Sequence, residues 1–385
     1  MTLDLLDIDS LLTEEELAIR AVVADVMRKT VRPHIAGWYE SGEVPARELA
    51  LEFGKVGLLG MKLQGYGCAG ASSVAYGLAC LELEAADSGI RSLVSVQGSL
   101  AMEAIAHYGS EEQRRRWLPG MATGELIGCF GLTEPDHGSD PASMSTRAVR
   151  DGDGWRLSGV KMWITNAPVA DVAVIWARTD DGVRGFAVPM ETSGVSAREV
   201  TGKLSLRASR TGEIVLDDVR LPADAQLPGA TGLRAPLSCL TEARAGIAWG
   251  ALGAARDCLQ STLDYATARE QFGRPIAGFQ LTQAKLADMV LEWQKGLLLA
   301  LHVARAADRG AMTPTMVSMA KLNSTREAIA IARQCRTIMG ANGISGEYPV
   351  MRHANNLESV LTYEGTAEIH QLVIGQALTG LSAFA

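Results

Sequence analysis

From the N-terminus to about residue 125, apolar positions recur at the three- to four-residue spacing of a helix with one buried face. Ser10 or Thr13 is suited to cap the first helix, with Glu14, Glu15 and Glu16 at its positive end. The pattern predicts further helices over 45–56, 72–87, 91–108 and 111–122. Between about 126 and 232 the period changes to β-branched runs separated by Gly/Asp turns. Asp151-Gly152-Asp153-Gly154 precedes a run over 155–165, and Asp180-Asp181-Gly182 separates 172–177 from 184–188. With 212–216, these predict an antiparallel sheet or small barrel. Beyond 233 the helical period returns over 241–269, 279–309 and 315–339, with a shorter helix over 366–378. Long helices with short connections favour an antiparallel four-helix bundle. The expected class is therefore α+β: an N-terminal α-helical domain (1–125), a middle β-barrel-like domain (126–232) and a C-terminal four-helix bundle (233–385). No internal repeat interrupts this order.

Composition narrows the function. A chain of 385 residues with 47% hydrophobic residues is long and apolar enough for a large core. Its net charge of −8 argues against nucleic-acid and anionic-membrane partners. The basic run Arg114-Arg115-Arg116 reads as a solvated helix face behind Glu111-Glu112. Six scattered cysteines without CxxC spacing read as reduced, mostly buried thiols, and six histidines without ligand spacing predict no metal. The acidic start resembles neither a secretion nor a transit signal, and no apolar run is long enough to span a bilayer. A cytoplasmic protein is expected.

Gly65-Tyr66-Gly67-Cys68-Ala69-Gly70 is literally a dinucleotide fingerprint, with Asp87 downstream. Its context is wrong: only a weak strand precedes it and no βαβ alternation follows. It reads as a glycine-rich connection between helices. Two other segments carry more. Phe130-Gly131-Leu132-Thr133-Glu134-Pro135-Asp136-His137-Gly138-Ser139-Asp140 offers N–H and O–H groups to an electron-rich ring or a phosphate, although alone it also fits an elaborate turn. In Lys161-Met162-Trp163-Ile164-Thr165-Asn166, Trp163 is suited to cover a planar cofactor and Thr165 to meet a ring heteroatom; alone it also fits a core Trp on a strand.

Together these segments resemble the acyl-CoA dehydrogenase family, in which such loops line a flavin. Further matches follow in the family's order. Arg269-Glu270-Gln271-Phe272-Gly273 and Gln280 resemble a segment that reaches a neighbouring subunit's FAD. Gln334 through Met339, Gly340 and Ala341 into Asn342-Gly343 resembles the stretch that contacts FAD from another subunit. Tyr363-Glu364-Gly365-Thr366 resembles the segment bearing the catalytic base. The resemblance implies FAD held by Phe130, Leu132, Thr133, Gly138, Ser139, Trp163, Ile164, Thr165, Arg269, Gln271, Phe272, Gln280, Gln334, Met339, Gly340, Thr366 and Glu368. It implies an acyl-CoA substrate touched by Ser139, Arg244, Tyr363 and Gly365, a homotetramer, and electron-transferring flavoprotein as acceptor.

The implied reaction is α,β-desaturation of an acyl thioester. The α-proton is weakly acidic, so the base must be a carboxylate whose pKa burial has raised; Glu364 is that candidate. Outside the family context it reads as a surface carboxylate before a helix. The β-hydrogen leaves as hydride, which is the cofactor's chemistry. The enolate oxygen needs hydrogen-bond donors, which the resemblance assigns to the Glu364 N–H and an FAD ribityl hydroxyl. In some branches the base instead precedes an arginine on the long helix. Here Ala243 precedes Arg244, and Glu242 is rotated by about 100° from that position.

The segment from Glu84 to Gln97, with Gly65–Gly70, 204–209 and 343–348, is most similar to the glutaryl-CoA dehydrogenase branch. A dicarboxylyl substrate carries a distal carboxylate that needs a cation. The resemblance assigns that cation to Arg91, with Ser92 and Ser95 beside it and Glu84 tuning its position; otherwise Arg91 is an ordinary helix ion pair. This branch desaturates glutaryl-CoA and then decarboxylates it to crotonyl-CoA, and Tyr363, Glu84 and Thr165 match its decarboxylating members. Ile90, Thr241-Glu242, Met162 and Gly346 depart from common branch forms. They keep open another short-chain or alkylmalonyl-type acyl thioester. A flavin oxidase and a non-enzymatic acyl-CoA scaffold are the competing classes.

Overall fold

The computed structural model describes residues 3–383. Helices α1 (Glu14–Val26), α2 (Ile35–Ser41), α3 (Ala46–Lys55), α4 (Ser73–Ala86), α5 (Ser88–Ser95), α6 (Glu103–Tyr108) and α7 (Glu111–Thr123) come first. The cap of α1 is Thr13 rather than Ser10: its hydroxyl accepts from the Glu16 N–H while the Glu16 carboxylate accepts from the Thr13 N–H. The helix expected over 91–108 is broken into α5, a π-helical stretch Val96–Met102, and α6, and it starts earlier than expected. Asp87 sets that start, because its Oδ1 accepts from the Gly89 N–H at 2.7 Å.

The middle layer is one sheet of β1 (Gly128–Gly131), β2 (Arg147–Asp151), β3 (Gly154–Thr165), β4 (Val172–Thr179), β5 (Gly182–Pro189), β6 (Val195–Glu199) and β7 (Thr211–Leu221). It is mixed, which corrects the expected antiparallel pattern. One edge of β4 pairs in parallel with β1 at its start and touches β2 in parallel at Arg178; β5 lies antiparallel on it.

The C-terminal layer holds α8 (Arg234–Ala268), the hairpin β8 (Glu270–Gln271) and β9 (Arg274–Pro275), then α9 (Gln280–Asp308), α10 (Pro314–Met339), α11 (Val350–Thr362) and α12 (Ala367–Thr379). α11 is an element beyond the predicted four. Gly65–Gly70 does lie in the connection between α3 and α4.

α4 is buried at every position from Val74 to Ala86, so it is a central helix rather than an amphipathic one. It packs against α8 through missing side chains. A Cβ on Gly253 would lie 2.0 Å from the Leu81 carbonyl oxygen, and one on Gly77 would lie 2.4 Å from the Trp249 indole. This close approach brings the end of α4, the start of α5 and the middle of α8 to one place.

Candidate active site

That place is organised around Arg91. It sits one turn into α5, is 1% exposed, and donates from Nε to Glu84 Oε2 at 2.6 Å. Glu84 is fully buried, and its other oxygen accepts from Ser88 Oγ at 2.8 Å. The rest of the guanidinium reaches Ser92 Oγ at 3.4 Å and the Tyr363 hydroxyl, and lies 5.6 Å from the Tyr363 ring centre. Arg91 thus joins α4, α5 and the connection between α11 and α12.

Glu364 lies in that connection, immediately after Tyr363. Its backbone is left-handed (φ 52°), and Gly365 follows at φ 107°. Such a conformation costs a non-glycine residue roughly 1–2 kcal/mol and needs surroundings that hold it. Three carbonyls supply the hold. Lys321 Nζ donates to the oxygens of Tyr363 and Gly365, both at 2.6 Å, and Arg244 Nε donates to that of Glu364 at 2.5 Å. Gly365 has no room for a side chain: a Cβ would lie 3.1 Å from His370 Nε2 and 3.2 Å from Arg244. Thr366 then caps α12, accepting from the Ile369 N–H.

Burial pushes the Glu364 carboxyl above the usual carboxylate range, while Arg91, Lys321 and Arg244 pull the other way. Its Oε2 is buried and has no hydrogen-bond partner among the described residues; the same holds for Ser95 Oγ, one turn beyond Arg91. Buried polar atoms without partners mark where a ligand's polar atoms complete the set. The arrangement can therefore receive an anionic group near Arg91 and take a proton at Glu364.

Of the sequence-predicted substrate residues, Glu84, Arg91, Ser92, Ser95, Tyr363, Glu364, Gly365 and Arg244 converge here. Arg244 engages the Glu364 backbone through Nε. Ser139 is instead exposed in the loop after β1. Glu242 is paired with Lys62.

A second surface forms where the loop 132–140 meets β3. Glu134 staples it. Its carboxylate accepts from the Ser145 and Thr146 N–H groups at 2.5 and 2.9 Å and from Lys161 Nζ at 2.8 Å; Lys161 also donates to the Leu132 oxygen at 3.0 Å. Burial opposes ionisation of Glu134, but these hydrogen bonds prevail and bring its carboxyl down to about 2. The Met162 N–H then meets the Thr133 oxygen at 2.9 Å. Register slips between Lys161 and Ile164, and this bulge puts Trp163 at φ 62° with 57% of its surface exposed. Ile164 turns inward and Thr165 is half-buried. Phe130 and Leu132 lie beneath, Phe130 against Trp176. An exposed indole, the Gly138-Ser139 turn and the Thr133 and Thr165 hydroxyls fit the flat, hydrogen-bonding face of a flavin.

The remaining predicted cofactor residues lie elsewhere on the chain. Arg269, Gln271 and Phe272 occupy the exposed β8–β9 hairpin, with Phe272 94% exposed; Gln280 opens α9. Gln334 is half-buried near the end of α10, Gly340 is exposed just beyond it, and Glu368 is exposed on α12. Met339 corrects the expectation. It is 1% exposed, and its sulfur accepts from Thr262 Oγ1 at 3.5 Å inside the bundle, so its side chain offers no surface to a cofactor.

Sequence reasoning missed Lys321 and His370. Both are buried; His370 Nδ1 lies 3.1 Å from Ser318 Oγ, and burial, then Lys321 and Arg244, push its imidazole down to about 3. The signal was present in part: Lys321 falls on the apolar side of α10, in step with Val317, Ala320 and Ser324.

Comparison with known proteins agrees with this layout. Three family models match in order: the acyl-CoA dehydrogenase N-terminal domain over 13–125, the middle domain over 129–219 and the C-terminal domain over 230–379. A crystal structure of glutaryl-CoA dehydrogenase from Mycobacterium smegmatis is 68% identical, with a TM-score of 0.98 over 99% of both chains. A second glutaryl-CoA dehydrogenase structure from that organism, in complex with FADH2, is 60% identical, with a TM-score of 0.98 over 100% of this chain and 99% of the other. The mitochondrial short-chain specific acyl-CoA dehydrogenase of Bos taurus is 35% identical over 94% of this chain and 90% of its own.

Proposed function

The chain belongs to the acyl-CoA dehydrogenase family, and from that premise we propose that it is an FAD-dependent glutaryl-CoA dehydrogenase that releases CO₂ and leaves crotonyl-CoA. The observation that carries the substrate is Arg91, a guanidinium with 1% exposure that reaches the tyrosine next to Glu364. An apolar acyl chain has no use for a buried cation. A distal carboxylate does, because burying it unpaired costs several kcal/mol. Ser95 supplies a free hydroxyl beside it, and Glu84 holds the guanidinium in place.

Glu364 removes the α-proton. Desolvation raises its basicity, while Arg91, Lys321 and Arg244 favour the carboxylate form that accepts the proton. The Glu364 N–H donates to the thioester oxygen as negative charge develops there. Bound FAD supplies the two-electron acceptor for the β-hydride. Thr133, Gly138, Ser139, Trp163, Ile164 and Thr165 would hold it, over Phe130 and Leu132. Thr366 and Glu368 would contribute too, with Arg269, Gln271, Phe272, Gln280, Gln334 and Gly340 arriving from neighbouring subunits.

Once Cα and Cβ are unsaturated, the distal carboxylate is vinylogous to the thioester. The bond to CO₂ breaks and its electron pair spreads into the conjugated system. Protonated Glu364 returns its proton to the carbon that lost CO₂. We further assign a homotetramer, supported by the protruding Phe272 hairpin, and electron-transferring flavoprotein as oxidant, supported by the family. Six free cysteines support a reducing, cytoplasmic setting, and among the described residues no helix is long and apolar enough to cross a membrane.

The test is anaerobic mixing of the purified flavoprotein with glutaryl-CoA, reading flavin bleaching and the mass of the thioester product. Bleaching with crotonyl-CoA is the expected result. Glutaconyl-CoA alone would remove decarboxylation. Bleaching only by butyryl-CoA or a branched acyl-CoA would overturn the role of Arg91.

A further inference from the structure

We propose that Lys321 is a positioning residue for the reaction, clamping the carbonyls on both sides of Glu364 so that the Glu364 N–H is aimed at the thioester oxygen. The proposal rests on the reading of Glu364 as base and enolate-stabilising amide. Lys321 is fully buried on α10 and makes no ion pair with a carboxylate among the described residues. A buried lysine without a carboxylate in contact is costly even with the field of Glu364 nearby, so its retention needs a use. Its observed partners are two carbonyl oxygens, of Tyr363 and Gly365, both at 2.6 Å.

A trans peptide unit is planar, with its C=O and N–H pointing in opposite directions. No peptide bond among the described residues is cis. Fixing the Tyr363 oxygen on Lys321 therefore fixes the Glu364 N–H on the far side of the same plane. Fixing the Gly365 oxygen does the same for the next-but-one amide, and Arg244 holds the carbonyl between them. Without the clamp, the left-handed backbone at Glu364 and the positive φ of Gly365 have alternatives that rotate that N–H away. The clamp does not depend on the charge of Lys321: a neutral amine still has two N–H donors for two acceptors.

Lys321→Met and Lys321→Arg are compared with Glu364→Gln in the FAD-loaded enzyme. The probe is a 3-thiaacyl-CoA, whose α-proton is acidic but which has no β-carbon hydrogen to lose as hydride. Exchange of its α-proton with D₂O, followed by mass, reads enolate formation without turnover; its binding constant is read by titration. Lys321→Met is expected to slow exchange by about 10- to 100-fold with binding changed by less than about 3-fold. Lys321→Arg, which keeps the donors but displaces them on a longer planar head, is expected to lose less, and it decides the matter should the methionine variant not fold. Wild-type exchange in a folded variant, or a loss confined to binding, would overturn the clamp. If Glu364→Gln exchanges like wild type, the base assignment itself fails, whatever Lys321 does.

Discussion

Gly250 of α8 faces Glu84 so closely that a Cβ added to it would lie 2.1 Å from Glu84 Oε2 and 2.8 Å from Arg91 Cδ. The buried ion pair therefore exists only because the facing helix lacks a side chain there. If Arg91 meets the distal carboxylate as proposed, specificity for an acidic acyl group rests on this absence as much as on Arg91.

Gly250→Ala tests that dependence. In a mid-helix position alanine would ordinarily gain about 1 kcal/mol. Here Glu84 is pinned by both Ser88 and Arg91 and has nowhere to retreat. Overpacking of this kind costs about 1–3 kcal/mol. Stability measured by denaturant titration is expected to fall, and kcat/KM is expected to drop further for glutaryl-CoA than for butyryl-CoA. Equal losses on both substrates would show that the pair does not set acyl specificity.

Glu84→Gln keeps the shape and removes the charge. Arg91 is then a buried guanidinium without its carboxylate, a loss of about 3–5 kcal/mol. Glutaryl-CoA brings its own carboxylate, so thermal stability should recover on adding it and not on adding butyryl-CoA. No ligand-specific recovery would place the distal carboxylate elsewhere.

Much of this was readable in the chain, and the exceptions share a cause. α11 was legible in Val350, Leu357 and Val360, which recur on its buried face, but His353 and Asn356 interrupt that stripe and it was passed over. His353 Nε2 meets Asp257 at 3.1 Å, and Asn356 donates to Asp87 Oδ2 at 2.9 Å. Polar residues buried through hydrogen bonds shorten an apolar stripe without removing it. The parallel pairing of β1 with β4 leaves no local trace either, since register and direction are set by distant partners. Tyr363-Glu364-Gly365 was visible as a motif, but the groups that hold it, Lys321 and Arg244, lie 42 and 120 residues from their acceptors. Ion pairs within one short segment, such as Glu84 with Arg91, were legible because spacing alone nearly places them.

Lys161→Met addresses the second surface. It leaves Glu134 buried without its cation, an effect of about 3–5 kcal/mol at neutral pH. The carboxyl lies at about 2 in the folded chain against an ordinary 4.5. A depressed pKa stabilises the fold above the unfolded value and stops doing so as pH falls through the folded one. The wild type should therefore lose this share between about pH 4.5 and 2, so the gap between variant and wild type should narrow across that window. FAD retention on gel filtration should fall in parallel, since Lys161 supports the turn bearing Thr133 and the strand bearing Trp163. Full retention of flavin in a destabilised variant would separate the staple from the cofactor surface.

The pH profile connects Arg91 to the base itself. Burial raises the Glu364 carboxyl above 4.5, and of the three cations that oppose burial Arg91 is the strongest. Only the carboxylate accepts the α-proton, so kcat/KM should fall toward acid with a midpoint above 4.5. Arg91→Met removes a group that favours the charged form, so the midpoint must move to higher pH. Butyryl-CoA is the substrate to use, because it has no distal carboxylate and so isolates the electrostatic effect of Arg91 from its part in binding. A profile displaced to higher pH with little change in its alkaline plateau is the expected outcome. An unmoved midpoint with a lowered plateau would mean that Arg91 acts on Glu364 only through Tyr363 and packing, not through its field.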